Sequence, residues 1–259
     1  MNYLKIVRNN LGLLVRKYSK TPRLSAVAIE INSGCNRKCE WCPNSIASRP
    51  QNKLLEDTLF YNIIDQLVAM KFHGQITFNL FNEPLLDTRL ATFIAYTRKH
   101  LPSSVIYLNT NGDILTLEMW THLREQGMDY AKISQYDGQF NNNIRTVMER
   151  LDKNERKHFR AYIFKPSQIN NRAGLIATTS KLPLKKFCSR PFYQLCITYE
   201  GKVVLCCNDY YGQVQIGDIR TNRIKDIWRN DIFVRYRKTL RKGNRGNLAL
   251  CKTCDLLNL

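Results

Sequence analysis

The cysteines are the residues of this chain with the clearest potential for chemistry. The chain has nine of them among 259 residues, and seven fall in short clusters: Cys35, Cys39 and Cys42; Cys206 and Cys207; Cys251 and Cys254. The N-terminus lacks the long apolar run of a secretory signal, so we expect a cytoplasmic protein whose thiols are reduced. An odd number of cysteines also argues against a disulfide framework, so the clusters indicate metal binding.

The first cluster, CNRKCEWC, places three thiols on one loop directly after a predicted strand. A structural zinc site needs four closed ligands, and this triplet alone supplies three. An iron–sulfur cubane takes one protein ligand per iron, so three thiolates leave one iron open to a small molecule. The spacing therefore favours an iron–sulfur cluster, while zinc and buried core cysteines stay as alternatives.

At these residues the chain resembles the radical S-adenosylmethionine (SAM) superfamily. The resemblance rests on the cysteine spacing, on Trp41 before the third cysteine and on the position of the motif after the first strand. It implies that Cys35, Cys39 and Cys42 ligate a [4Fe–4S] cluster whose open iron chelates the amino and carboxylate groups of SAM, with Trp41 beside the cofactor. In this family, reductive cleavage of SAM yields a 5′-deoxyadenosyl radical that abstracts hydrogen from the substrate.

Three further segments agree with the resemblance. FNEP, at 81–84, is similar to the GGEP segment of the family although other residues replace its glycines, and it implies that Glu83 binds the SAM amino group. NTNG, at 109–112, ends a predicted strand as the TNG segment of the family does, which brings Asn111 to the cofactor. Ser134 corresponds to the polar residue that contacts the SAM ribose.

The C-terminal cysteines resemble the opening of a SPASM domain. Cys188 is followed by twelve residues, Gly201, four residues and Cys206, and the terminal CKTC supplies Cys251 and Cys254. The resemblance implies that these four cysteines hold one auxiliary [4Fe–4S] cluster, as in the shortened "twitch" form of the domain. The alternative is a zinc site, because four thiolates also suit zinc.

The remaining cysteines and two polar residues are candidates for other roles. Cys196 lies on a predicted hairpin and is expected to be a small buried hydrophobe. Cys207 and Asp209 would share a face if they lay on a strand, and there they are candidates for proton or hydrogen transfer. Arg172, in NNRAG, is a candidate for holding an anionic or hydroxylated substrate group, the alternative being an ordinary surface arginine.

A cluster held by four protein cysteines has no open iron, so it would serve electron transfer. An electron acceptor beside a substrate radical suits oxidation. Among radical SAM enzymes with one auxiliary cluster, the chain is similar to those that dehydrogenate aminocyclitols. This resemblance implies an oxidoreductase that dehydrogenates an alcohol of a sugar- or cyclitol-like small molecule. One alternative is a maturase that modifies a ribosomal peptide, and a second, non-enzymatic one is a zinc module that binds nucleic acid.

The charge is the second unusual feature, because 40 Lys and Arg residues against 21 Asp and Glu residues give a net charge of +19. We expect an anionic substrate, an acidic flavodoxin- or ferredoxin-like electron donor or a peripheral contact with an anionic membrane, and we place nucleic acid behind these. Residues 1–24 fit a basic amphipathic helix that packs on the body of the protein or attaches to such a membrane. No apolar stretch approaches the ~18 residues of a spanning helix.

Alternating strands and helices place these motifs at strand ends. We predict strands at 26–31, 75–80, 104–109, 130–136 and 158–164, and helices around 59–68, 88–100, 116–126 and 143–151. Strands separated by helices of this length indicate parallel βαβ units. Beyond residue 187 we predict a hairpin from 195 to 206 and a basic helix over 224–240.

The predicted fold is therefore α/β. It consists of a partial (β/α)6-type TIM barrel as the radical SAM core, followed by a small twitch- or SPASM-like module of a β-hairpin and a helix. We divide the chain into the basic helix (1–24), the core (25–186) and the auxiliary cluster module (187–259). With 44% hydrophobic and 24% charged residues, the composition excludes wholesale disorder.

Overall fold

One sheet runs through the whole molecule. The computed structural model describes residues 12–46, 49–165, 169–177 and 182–257. In this part of the chain the sheet has eight strands: β1 (Ala26–Ile29), β2 (Gln75–Thr77), β3 (Val105–Thr110), β4 (Tyr130–Gln135), β5 (Phe159–Ile163), β6 (Gln194–Ile197), β7 (Lys202–Val204) and β8 (Gln215–Asp218). Their order is β5-β4-β3-β2-β1-β6-β7-β8, and the pairs β6–β7 and β7–β8 are antiparallel while the others are parallel.

Helices follow most of the parallel strands, which confirms the predicted α/β class. Seven α-helices lie wholly between residues 43 and 241 of the described segments: α1 (Pro43–Ile46), α2 (Asp57–Ala69), α3 (Leu90–His100), α4 (Leu117–Glu125), α5 (Asn142–Arg150), α6 (Ile224–Arg229) and α7 (Asp231–Arg241). Short 3-10 turns lie at Pro84–Leu86, Glu155–Lys157, Arg172–Gly174, Arg190–Phe192 and Arg245–Asn247. Strand β1 is buried at every position, as expected for a parallel strand covered on both faces.

The helix starts follow local capping chemistry. The Thr116 hydroxyl accepts a hydrogen bond from the Met119 backbone N–H (3.1 Å) at the start of α4, and the Asn141 side chain accepts one from Ile144 N–H (2.9 Å) at the start of α5. These bonds satisfy N–H groups that have no partner within the helix. The predicted starts of these helices are therefore close to the observed ones.

The predicted single helix over 224–240 is wrong, because Asn230 divides it into α6 and α7. The backbone of Asn230 is extended, and its side chain accepts a hydrogen bond from Phe233 N–H (2.9 Å), so it caps α7 where α6 has ended. Sequence analysis also missed β8, whose four residues include a glycine and show no clear alternation.

The sixth parallel strand lies beside β1 and not beyond β5. Strand β6 pairs with β1 in parallel register, with Val27 opposite Leu195 and Ala28 opposite Cys196. Between β5 and β6, the described residues 169–177 and 182–193 form only 3-10 turns, so the long βα unit of a further barrel repeat is not seen there. Our division of the chain between residues 186 and 187 stays a prediction, and the sheet itself continues across it.

The N-terminal helix is described only in part. Residues 1–11 of the predicted amphipathic helix lie outside the described residues, and residues 12–18 are helical. Here the Arg16 guanidinium lies 4.1 Å from the centre of the Tyr193 ring, whereas Leu14 and Tyr18 are 51% and 70% exposed. In this segment the Arg16 side chain contacts the body of the protein, and Leu14 and Tyr18 are largely exposed. None of the described helices has both the length and the apolar character needed to cross a membrane.

Candidate active site

A cavity of about 530 Å³ opens where the first five parallel strands end. Among its lining residues are all but one of the side chains that sequence analysis proposed for the first cluster, the cofactor and the substrate: Cys35, Cys39, Trp41, Cys42, Glu83, Asn111, Ser134, Arg172 and Cys207. The carboxyl ends of parallel strands meet at one edge of a sheet, and ligand sites of open α/β folds lie there. The fold therefore gathers these residues from six separate segments into one site.

The loop after β1 presents its three thiols to this cavity. The backbone N–H of Cys42 donates to the Cys39 carbonyl (2.9 Å), which keeps the second and third cysteines on one turn. Burial raises the pKa of Cys35 and raises that of Cys39 to about 11. Three thiols that line one cavity are a donor set that fits a cubane with one open iron.

Arg37 anchors this cysteine loop to its neighbours. Its guanidinium forms ion pairs with Asp113 (2.6 Å), in the loop after β3, and with Asp137 (2.6 Å), in the loop after β4. The Asn111 side chain forms a further hydrogen bond to the cysteine loop by donating to the Asn36 side-chain oxygen (2.8 Å). The position of the thiols is therefore set by three strand-end loops.

Glu83 is a buried carboxylate held in one orientation. It accepts hydrogen bonds from the Thr110 hydroxyl (2.6 Å), the Asn111 backbone N–H (2.8 Å) and the Leu85 backbone N–H (3.1 Å). Burial raises the pKa of Glu83 to about 7, although these hydrogen bonds act in the opposite direction. Its own backbone N–H donates to the Gly34 carbonyl (2.8 Å), which joins it to the cysteine loop. A cationic ligand group in the cavity would complement this carboxylate.

Aromatic rings form another wall of the cavity. Trp41 stacks on Phe164 with ring centres 5.4 Å apart, and its indole N–H is buried with no partner among the described residues. The Ser134 hydroxyl donates to the Tyr162 hydroxyl (2.6 Å) at the ends of β4 and β5. The wall offers a flat apolar face and two hydroxyls, which suit a nucleoside with its ribose.

The four predicted C-terminal ligands line a second, smaller cavity. Cys188, Cys206, Cys251 and Cys254 surround it together with apolar side chains, and Asn208 donates its side-chain N–H to the Cys254 sulfur (3.5 Å). Among the described residues, no three Cys, His, Asp or Glu side chains converge closely enough to share a single metal ion. A cubane takes one thiolate per iron and does not require such convergence. This donor set fits a fully protein-ligated cluster.

Arg245 lies beside this second cavity and was not found by sequence analysis. The side chain is 1% exposed, and it donates to the carbonyls of Lys186 (3.0 Å) and Leu256 (2.8 Å). Every Asp and Glu of the chain lies in the described segments, and none comes within 4.0 Å of this guanidinium. Its charge lowers the pKa of Cys188 and Cys251, against the larger effect of burial. One arginine among 40 basic residues carries no signal in the sequence.

The expectation that Cys207 and Asp209 share a strand face is wrong. Strand β7 ends at Val204, and the next residues form a turn in which Asp209 N–H donates to the Cys206 carbonyl (3.0 Å). Asp209 is fully buried and accepts from Gln213 N–H (2.8 Å) and another backbone N–H, so it shapes a loop and does not line the cavity. Cys207 does line the cavity. Cys196 is fully buried, as predicted.

Two further cavity residues, Lys132 and Arg190, were not singled out from the sequence. Lys132 is two residues before Ser134 on β4, so both side chains lie on the same face of the strand. The two-residue spacing from Ser134 could therefore have identified Lys132 as a cavity residue from the sequence. Arg190 lies in the 3-10 turn before β6, and only the pairing of β6 with β1 brings it to the cavity.

Comparison with known proteins identifies the family. The model of the SPASM iron–sulfur cluster-binding domain matches residues 188–255. The S-adenosyl-L-methionine-dependent 2-deoxy-scyllo-inosamine dehydrogenase of Niallia circulans is 32% identical over 234 residues, which are 89% of this chain and 92% of that protein. The chain belongs to the radical SAM family. This radical SAM oxidoreductase uses SAM and [4Fe–4S] clusters, and neither the peptide maturase nor the zinc module is favoured.

Solved structures show the same relationship. The crystal structure of BtrN in complex with AdoMet and 2-DOIA has a TM-score of 0.85 and 30% identity, covering 92% of this chain and 95% of BtrN. BtrN in an open conformation has a TM-score of 0.72 and 28% identity, covering 90% and 92% of the two chains. The radical SAM chain described here is thus more similar to the ligand-bound form of BtrN than to its open form.

Proposed function

We propose that this enzyme oxidises a secondary alcohol of a cyclitol- or sugar-like small molecule to a ketone. The observation that carries the proposal is the single cavity that joins three thiols, the oriented Glu83 carboxylate and a wall of hydroxyl and amide groups. The 32% identity with a dehydrogenase of a cyclitol amine supports the reaction type. Hydroxyl and amide side chains can each donate and accept, as recognition of a polyol requires.

The first cluster and SAM are assigned to the cavity residues. We assign the cluster to Cys35, Cys39 and Cys42, and the SAM amino group to Glu83, which lines the cavity and whose carboxylate accepts three of the roughly four hydrogen bonds it can take. Trp41, Asn111 and Ser134 are assigned to the rest of the nucleoside. When bound, SAM and the two clusters supply a hydrogen-atom acceptor and a one-electron acceptor.

The second cluster is assigned to Cys188, Cys206, Cys251 and Cys254. Arg245 supports this assignment, because a buried guanidinium with no Asp or Glu side chain within 4.0 Å among the described residues is stabilised by a neighbouring negative charge, and four thiolates around a cluster provide it. These assignments keep our division of the chain, with the core in 25–186 and the auxiliary cluster module in 187–259. For the initial reduction we propose a reduced flavodoxin- or ferredoxin-like donor.

Two side chains are assigned to the substrate. Arg172 lines the cavity, and its Nε–H is buried without a partner among the described residues, so it is free to donate to a substrate oxygen. Cys207 is assigned as the acceptor of the hydroxyl proton that the alcohol loses on becoming a ketone. Arg190 lies beside it, and the charge of Cys207 is the largest cause that raises the pKa of Arg190. Asp209 has no part in this step, because it faces its own loop.

The test is turnover by the anaerobically reconstituted enzyme with SAM, dithionite and a panel of cyclitols and sugars. We expect equal amounts of 5′-deoxyadenosine and of a product that has lost two hydrogens, with deuterium moving from the oxidised carbon into 5′-deoxyadenosine. SAM cleavage that leaves every cyclitol and sugar unchanged would contradict the proposal. Oxidation of a peptide under the same conditions would support the maturase alternative instead.

A further inference from the structure

Part of the cavity is built by the strands themselves. Besides Thr110, which donates to Glu83, and Ser134, which is assigned to SAM, five cavity residues lie within β2, β3, β4 and β6. We call them the strand wall: Thr77, Tyr107, Asn109, Lys132 and Gln194. The residues assigned above to the cluster and to SAM come mainly from the strand ends and the loops that follow them. The strand wall is therefore the part of the cavity left for the substrate, and Lys132 is its charged member.

Lys132 is half-buried and has no carboxylate partner. Its ammonium lies 5.1 Å from the centre of the Tyr107 ring and 5.9 Å from that of Tyr130. All Asp and Glu residues fall in the described segments, and none lies within 4.0 Å of the Lys132 nitrogen. A partly desolvated ammonium held only by ring faces has donors left for a ligand.

Arg190 is a second cation that faces the same space. In the described part of the chain its side chain donates one hydrogen bond, to the Gln194 side-chain oxygen (3.2 Å), and it too has no carboxylate within 4.0 Å. Burial lowers the pKa of Lys132, and the charges of Arg160 and Arg190 lower it further. Lys132 and Arg190 therefore repel each other across the strand wall, and an anion between them would remove that repulsion.

The charges of the whole cavity wall also favour an anionic ligand. Four cationic side chains of the described residues line it, namely Arg37, Lys132, Arg172 and Arg190, against one carboxylate, Glu83. Arg37 is paired with two aspartates, and Glu83 is assigned to SAM. A substrate ammonium would find no free carboxylate, whereas a substrate anion would find three cations without a carboxylate partner, Lys132, Arg172 and Arg190. This differs from what an amine such as 2-deoxy-scyllo-inosamine would need.

We propose that Lys132 and Arg190 bind an anionic oxygen group, a phosphate or a carboxylate, on the polyol substrate. The inference rests on the proposed function, because it names the substrate class of the same cavity. A guanidinium offers two parallel N–H donors to such a group, and an ammonium adds a point charge from the other side. The amide and hydroxyl groups of the strand wall then face the hydroxyls of the substrate ring.

The test is anaerobic calorimetry on the reconstituted holoenzyme with SAM bound. The probes are myo-inositol, myo-inositol 1-phosphate, quinate and 2-deoxy-scyllo-inosamine. We expect at least one of the two anions to bind about tenfold or more tightly than myo-inositol, because hydrogen bonds to charged groups are the strong ones. Lys132→Gln should weaken binding of the preferred anion about tenfold and leave the affinities for myo-inositol and SAM unchanged. Lys153→Gln, which removes the same charge from an exposed position outside the cavity, should change nothing.

The outcomes separate the competing interpretations. Preference for the phosphate or for quinate says which anion the site takes, and either supports the proposal. Tightest binding of the amine or of myo-inositol overturns it, as does failure of all four probes to bind. A Lys132→Gln variant that loses SAM affinity and keeps anion affinity also overturns it. Ketone formation is measured in parallel. If the enzyme oxidises the amine and Lys132→Gln does not change the rate, the proposed function stands and this inference fails. If the anions bind but no cyclitol is oxidised, the anion site stands and the proposed function fails.

Discussion

Replacing Arg49 by methionine should destabilise the fold strongly, because it would leave the Glu30 carboxylate buried without its cation. Glu30 follows β1 and is 0% exposed, and Arg49 pairs with it through two hydrogen bonds of 2.6 and 2.5 Å. Each carboxylate oxygen also accepts one backbone N–H, from Phe81 and from Tyr199, both at 3.2 Å. The pair thus joins the loop that carries Glu83 to the hairpin of the C-terminal module.

The magnitude follows from what the variant retains. The two backbone hydrogen bonds survive the change, but both charge-assisted bonds are lost. So are the contacts of the guanidinium with the rings of Phe81, Tyr199 and Tyr210, which lie 5.1 to 5.4 Å away. Breaking a buried ion pair by removing one partner costs about 3–5 kcal/mol. For a chain of this size that corresponds to a fall in melting temperature of about 6–20 °C.

The loss should also depend on pH. Burial already raises the pKa of Glu30 above its usual value, and Arg49 is the main group that opposes this. Without Arg49 the pKa rises further, so the folded variant binds a proton that the unfolded chain releases. The stability contributed by that proton is present below the unfolded pKa and is lost as pH rises through the folded pKa. The deficit of Arg49→Met relative to wild type should therefore be smaller at pH 5 than at pH 8.

Thermal melts of the anaerobic holoenzyme, followed by near-ultraviolet circular dichroism, measure this deficit. Arg150→Met is the matched control, because it makes the same change at an exposed position of α5 and should leave the melting temperature unaltered. The double variant Glu30→Gln/Arg49→Met should recover most of the loss, since no buried charge then stays unpaired. A melting temperature within about 2 °C of wild type, or a deficit equal at both pH values, would refute the reasoning.

Three further predictions concern the cofactor sites. Cys42→Ala should abolish 5′-deoxyadenosine formation and lower the iron content by about four atoms per chain, whereas Cys196→Ala should retain full iron; measurable SAM cleavage by the Cys42 variant would remove it from the ligand set. Cys251→Ala should lose the auxiliary cluster and ketone formation while still cleaving SAM slowly, and an unchanged iron content and turnover would speak against its assignment. Glu83→Gln should weaken SAM binding by about tenfold or more, measured by equilibrium dialysis, and unaltered affinity would exclude contact with the SAM amino group.

Much of the chemistry was readable from the sequence because it is local. Cys35, Cys39 and Cys42 lie on one loop, so their spacing in the sequence shows that they are close together. The positions of Glu83 and Asn111 at strand ends follow from the alternation of strands and helices. Parallel strands present their carboxyl ends at one edge, so residues just after them must meet there. The same local logic failed for Cys207 and Asp209, because β7 is two residues shorter than the predicted strand and a turn separates the two side chains.

What only the tertiary structure decided is the charge pattern around these sites. Arg190 reaches the cavity because β6 pairs with β1, Arg245 meets the Lys186 carbonyl near Cys188 from 59 positions further along the chain, and Glu30 meets Arg49 across the first loop. Among 40 basic residues none of these positions differs in type from a surface cation. Local spacing thus predicted the ligands of the first cluster, which lie on one loop. Long-range packing decided which cations are buried beside them, because burial and pairing depend on strand order and not on neighbours in sequence.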